Sequence, residues 1–188
     1  DPNQAGLFLV ANHGVQASGS VFDAWRHSVI EVDVASGPTG LVFNTERAPS
    51  GMAISPDGTR LYVSHLFGAL GGPGIAAENA LADASYDGGS IVAFHRTWGF
   101  PMERFALGSP VRDVAVWPPA DAPPELHQAA GGYRIFFTYV GEGVQSEDPG
   151  HGGRSIPNLV GSIAFDAANV AQGRQNVLFE HEPETQYP

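Results

Sequence analysis

Three residues, Asn12, His65 and Tyr139, fall at one position of a repeated pattern, the end of a strand, and His13 follows Asn12 directly. Arg112 and Asp113 open another strand near the same rim. His13, His65, Arg112, Asp113 and Tyr139 therefore form a candidate ligand site. A His, an Arg, an Asp and a Tyr gathered at a channel mouth can bind an anionic or metal-bearing ligand. Polar side chains at strand ends also bond neighbouring backbone, and that simpler role stands beside the binding one. A second set is acidic. Glu78, Asn79, Asp83 and Asp87 lie in one Gly- and Ala-rich stretch, and Glu142, Glu147, Asp148 and His151 lie in another. Hard oxygen ligands in loops suit calcium, with Glu78, Asp83, Asp87, Glu147 and Asp148 as the candidates. Neither stretch follows the EF-hand register, and solvated acidic loops are the alternative.

Other chemistries find little support. The chain has no Cys, which removes disulfides, thiolate metal sites, haem attachment and Cys nucleophiles from these residues. No GxSxG elbow is present, because Gly19-Ser20 and Gly161-Ser162 lack its flanks. The run Gly68-Ala69-Leu70-Gly71-Gly72-Pro73-Gly74 lacks the Lys and the helix of a phosphate loop. His27, His95 and His181 show no metal-ligand spacing. Trp25, Trp98 and Trp117 are open to either ligand stacking or packing.

The elements that position these residues are short strands. The run from Pro49 to His65 holds an apolar strand, the turn Pro56-Asp57-Gly58 and a second, alternating strand. Pro presets φ, Asp bonds the backbone ahead and Gly takes positive φ, so the run predicts a tight hairpin. Gly89–His95 and Met102–Leu107 supply a third and a fourth strand, and four antiparallel strands in a row make one blade of a propeller. Upstream, Leu7–Asn12, Ser28–Asp33 and Gly40–Asn44 match strands two to four. Downstream, Val111–Pro118, Tyr133–Tyr139, Val160–Asp166 and Asn176–Glu180 match all four, with a long insertion after Trp117-Pro118-Pro119. The expected organisation is all-β: an incomplete blade over 1–47, a complete one over 48–108, and a complete one with a polar tail over 109–188.

The stretch Ala53-Ile54-Ser55-Pro56-Asp57-Gly58-Thr59-Arg60-Leu61-Tyr62-Val63-Ser64 resembles the signature of YVTN-type β-propeller repeats, and Val32-Asp33-Val34-Ala35-Ser36-Gly37 resembles a later part of such blades. The third copy departs from the pattern at Trp117-Pro118-Pro119. The resemblance implies a propeller fold. It also implies a secreted or periplasmic setting, as in bacterial relatives, some of which are joined to cytochrome c or other redox domains.

Composition bounds the partners. Charged residues are 15% of the chain, and 24 Gly with 15 Pro fit many turns between short strands. The formal net charge is −11, every cation is an Arg, and no stretch clusters them. Nucleic acid and anionic membranes are therefore poor partners. No apolar run approaches the ~20 residues that span a bilayer. The chain begins at Asp1, and a removed leader or a longer parent protein is the expectation.

Fewer than three blades cannot close a ring, since closure takes about four to eight. The expected partner is thus the rest of the ring, from the same protein or from another chain. The three second-to-third-strand connections, His13–His27, Leu66–Gly88 and Val140–Leu159, are enlarged and share one face. Long loops in compact domains mark a working face or neutral decoration. The favoured expectation is a non-catalytic binding or scaffold platform. One alternative is the propeller part of a periplasmic redox enzyme, whose haem or quinone another domain or chain supplies. A second is a metal-dependent hydrolase of the lactonase type.

Overall fold

A computed structural model describes residues 6–12, 27–46, 48–66, 89–107, 110–140 and 158–176. These residues form three antiparallel sheets in chain order. The first contains β1 (Leu7–Asn12), β2 (Ser28–Asp33) and β3 (Gly37–Asn44). The second contains β4 (Pro49–Ile54), β5 (Arg60–His65), β6 (Ser90–His95) and β7 (Pro101–Ala106). The third contains β8 (Val111–Trp117), β9 (Gly132–Val140), β10 (Asn158–Asp166) and β11 (Ala171–Asn176). Within each sheet every strand pairs with its sequence neighbour. A short helix, α1 (Pro124–Ala130), occupies the insertion between β8 and β9.

Aspartates close the hairpins. Asp33 Oδ1 accepts the backbone N–H groups of Ala35 and Ser36 at 2.9 and 2.8 Å. The Ser36 backbone bond leads the causes that hold its carboxyl below the usual range. Asp57 accepts from Ser55 Oγ and from the backbone and hydroxyl of Thr59, while Gly58 takes φ 71°. Asp166 Oδ1 accepts from the N–H groups of Ala168 and Val170, each at 2.9 Å. Such side-chain bonds replace ladder partners that a turn lacks. The Asp166 turn is tight, so β11 begins at Ala171 rather than at Asn176, where the sequence pattern puts the fourth strand. Gly37 at φ 85° likewise lets β3 start three residues earlier than the apolar run suggests.

The sheets stack face to face. Side chains alternate across a strand, and in β5 both faces are covered. Leu61 and Val63 join Val92, Phe94, Val29 and Phe43 in the seam between the first and second sheets. Tyr62 joins Ile91, Ala93, Ile135, Phe137 and Phe165 in the seam between the second and third. In the first seam Phe43 meets Phe94 edge-on, with centroids 5.8 Å apart. In the second, Tyr133 stacks on Phe165 at 4.9 Å. The first sheet repeats this alternation with one difference. Leu9 and Ala11 pack toward the second sheet, while Phe8 and Val10 on the opposite face are 55% and 46% exposed.

The sheets also share their ends. Ser28 stands opposite Asn12 and Asn44 in the first, and Ser90 opposite His65 in the second. Glu46, just beyond β3, accepts from Ser90 Oγ. Ser50 Oγ donates to the carbonyl of Val111 at 2.7 Å, which brings the start of β8 to the same end. The long connections 13–26, 67–88 and 141–157 thus depart from one end of the stack, and the Asp turns lie at the other.

Candidate functional site

A partly buried polar cluster lies at the loop-bearing end, in the seam between the first and second sheets. His27, at φ 53°, precedes β2, and its carbonyl accepts the N–H of Thr45 at 2.9 Å. Its Nδ1 accepts the N–H of Ala48 at 3.4 Å. Together these bonds fold the link between β3 and β4 so that Glu46 enters the seam. Across from it stand His65 at the end of β5, Ser90 at the start of β6 and Arg104 on β7. Arg104 Nε donates to Glu46 Oε1 at 2.5 Å, and Ser90 Oγ donates to Glu46 Oε2. Ser90 Oγ lies 3.3 Å from His65 Nδ1.

The donors and acceptors fix the direction of this chain. A carboxylate paired with Arg104 only accepts, so the Ser90 proton points to Glu46. The Ser90 oxygen then receives the N–H of His65 Nδ1, and His65 Nε2 carries a bare lone pair. His65 and Ser90 are fully buried, and Nε2 has no hydrogen-bond partner. Burial pushes the imidazole down to about 4, so the ring is neutral at neutral pH.

The other seam shows that the fold does not require this polarity. Tyr139 stands opposite Val111 and Leu159, as His65 stands opposite Pro49 and Ser90. At that place Tyr139, Val111 and Leu107 are buried, with Leu159 packed against them. Apolar residues do the packing there. The Arg104–Glu46 pair leaves Arg104 a third exposed, so it ties the two sheets at a modest desolvation cost and leaves His65 and Ser90 as the buried polar residues of the cluster.

The remaining candidates are dispersed. Arg112 and Asp113 sit exposed on β8 beside a bulge, where Asp113 Oδ1 accepts the N–H of Val114 at 2.9 Å. Tyr139 is a core side chain against Phe137, with centroids 5.7 Å apart. His65 alone of that set joins the polar cluster. His13 and the acidic candidates Glu78, Asp83, Asp87, Glu147 and Asp148 lie outside the described residues. Among the described residues, no group of three or more His, Cys, Asp or Glu side chains could hold a metal ion. Sequence reading missed Glu46, Ser90 and Arg104 as partners of His65. Ser90 and Glu46 have two signals, a polar residue opening the apolar run Ile91–Phe94 and a charged pair, Glu46-Arg47, placed between strands, and Arg104 has none.

The opposite end holds a second ordered chain. Tyr62 and Tyr133 hydroxyls lie 2.5 Å apart across the second seam. Tyr133 donates to Asn169 Oδ1 at 2.7 Å, and Asn169 Nδ2 donates to Asp57 Oδ2 at 2.9 Å. Burial raises both phenols above the ordinary tyrosine value. Asp57, His127, Tyr133 and Asn169 line a cleft of about 240 Å³ there. That is below the usual volume of an organic-ligand pocket, and the chain reads as a tie between sheets.

Fold and site together define an all-β protein of consecutive antiparallel meanders with polar side chains, His65 and Ser90 among them, set between its sheets. No family model matches the chain, and no curated protein matches it with significance.

Proposed function

We propose that the chain is a segment of a β-propeller with YVTN-type repeats, acting as a non-catalytic secreted or periplasmic binding platform. The observation that carries the binding role is the His27–Glu46–His65–Ser90–Arg104 cluster. It lies at the end where the long connections depart, at a position that the neighbouring seam fills with apolar side chains.

The ring reading has its own support. Phe8 and Val10 alternate on the face of β1 turned away from the second sheet. In β5 and β9 the residues on that face, Leu61, Val63, Ile135 and Phe137, are at most 1% exposed against a preceding sheet. A further sheet packed on the first would bury Phe8 and Val10 in the same way. Such a sheet comes from the rest of the same protein or from another chain.

The test is the intact mass of the native polypeptide and of its assembly, with a visible spectrum and metal analysis on the same sample. The expected result is a colourless particle well above the 19.8 kDa of these residues. A monomer of 19.8 kDa would refute the ring. Haem or quinone absorption would replace the platform with a redox enzyme, and chelator-sensitive hydrolysis would replace it with a metal-dependent hydrolase.

A further inference from the structure

We infer that the open edge of β1, with the cleft beside it, is a docking site for an extended segment of a second polypeptide, which adds to the first sheet as a fourth strand. The site lies against β4 near the end of the Asp turns, apart from the polar cluster at the loop-bearing end. The inference therefore goes beyond the platform reading.

Backbone direction defines the edge. The N–H of Val34 donates to the carbonyl of Gly6, and hydrogen-bonded pairs alternate along an antiparallel ladder. Phe8 and Val10 thus turn their backbone groups to β2, and Leu9 and Ala11 turn theirs outward. Among the described residues no strand pairs with that side of β1. In the other two sheets the same side of the equivalent strand is paired, β4 on β5 and β8 on β9. A row of outward N–H and C=O groups is a template for a further strand.

The structure also has room for one. A cleft of about 450 Å³ is lined by Leu9, Met52, Ile54, Leu61 and, from the link after β8, Asp121. That volume is in the range of ligand-binding clefts. The next seam shows what covers such a surface. By register, Tyr62, Val114, Val116 and Ile135 stand there in the places of Leu9, Met52, Ile54 and Leu61. They pack in one core with Ala53 of the inner strand β4. A Cβ on Gly51 of that strand would lie 2.8 Å from the Asp113 Cα, so inner strands here stack closely. The molecule already covers this surface once with an inner strand, and the cleft beside β1 continues that stack.

The cleft defines the partner. Main-chain pairing accepts any extended segment, and the pocket for alternate side chains selects among them. Leu9 is smaller than Tyr62, so the residue opposite it is a branched aliphatic one where β4 carries Ala53. The added strand runs antiparallel to β1, as β4 does to β5, and its C-terminal end comes to Phe8 and Asp121, which line the same cleft. A basic residue there meets the Asp121 carboxylate, in a chain of net charge −11.

The test uses the full chain labelled with ¹⁵N and a synthetic peptide. The peptide copies Pro49–Ile54 with valine in place of Ala53 and an arginine added at its C-terminus. It should bind saturably and slow hydrogen exchange at the Leu9 and Ala11 amides, leaving those of β9 and β10 unchanged. In the β4–β5 hairpin the Ser55 N–H donates to Arg60, so by alternation the valine N–H faces Leu9 and the methionine N–H faces away. N-methylation of the valine should abolish binding, and N-methylation of the methionine should preserve it. Asp121→Asn should weaken the peptide about two- to fivefold and leave a peptide without the arginine unaffected.

No binding, equal binding of the two N-methylated peptides, or full affinity for the arginine peptide in Asp121→Asn would overturn the inference. So would Leu9 and Ala11 amides that exchange slowly without peptide; protection that grew with protein concentration would assign the edge to a second copy instead. A monomeric mass of 19.8 kDa would refute the ring while leaving the peptide result intact, so the two failures are separable.

Discussion

Replacing Tyr133 with Phe should destabilise the protein more than replacing Tyr62 with Phe, although the two hydroxyls share one hydrogen bond. The asymmetry follows from direction. Asn169 Nδ2 donates to the Asp57 carboxylate, so its Oδ1 faces Tyr133 and must accept. Tyr133 has one proton, which goes to Asn169, and Tyr62 therefore donates to the Tyr133 oxygen at 2.5 Å. Tyr62→Phe removes a donor and leaves Tyr133 bonded to Asn169, a loss of about 1 kcal/mol for one net hydrogen bond. Tyr133→Phe takes away the acceptor of the buried Tyr62 proton, leaving that hydroxyl only Arg60, and also takes the donor from Asn169 Oδ1. With one buried proton orphaned and one lost bond, the cost is about 2–4 kcal/mol. The double variant removes the orphan and should fall below the sum of the singles. Urea unfolding reports the three values, provided the slope with denaturant is unchanged. Equal losses in the two single variants, or a larger one for Tyr62→Phe, would refute the assigned direction.

Two further outcomes concern other seams and groups. The His65 imidazole is held at about 4 in the folded protein against 6.5 when free. Between those values the unfolded chain binds the extra proton, so stability falls as pH drops from about 6.5 to 4 and levels off below, by roughly 3 kcal/mol. Urea midpoints at both ends of that window should show this loss in the wild type and a smaller one in His65→Gln; parallel curves would remove His65 as the cause. Gly51→Ala would place a methyl against Asp113, 2.8 Å from its Cα. It should cost about 1–3 kcal/mol by forcing β4 from β8, readable as a lower thermal midpoint; an unchanged midpoint would mean the inner strands are not closely packed.

Much of the architecture was legible because its strands are short and their signals local. Pro56-Asp57-Gly58 sets its hairpin by φ and side-chain bonding alone, and the structure forms that turn. The apolar runs of β1, β2, β5 and β6 end where their polar neighbours begin. The end of the chain was less readable. Asp166, Ala167, Ala168 and Asn169 carry no Gly, yet Asn169 takes φ 63° and Asp166 bonds two N–H groups, so the turn is tighter than composition shows. The helix α1 lies in an insertion without a repeat to predict it. For the site, His65 was visible as a polar strand end. Glu46 and Arg104 were not, because they are 58 residues apart and meet only when two sheets stack.

Both seams rest on an apolar core, and they differ in what is added to it. The first sheet is tied to the second by Arg96 on Glu31, a pair with each side chain at most 10% exposed, and by Arg104 on Glu46. The second is joined to the third by a cluster of Tyr62, Tyr133 and Phe165 rings. Apolar burial fades on cooling, whereas desolvating charge becomes less costly on heating. Cooling therefore weakens the apolar packing in both seams, whereas heating favours the two ion pairs that the first seam adds to its core.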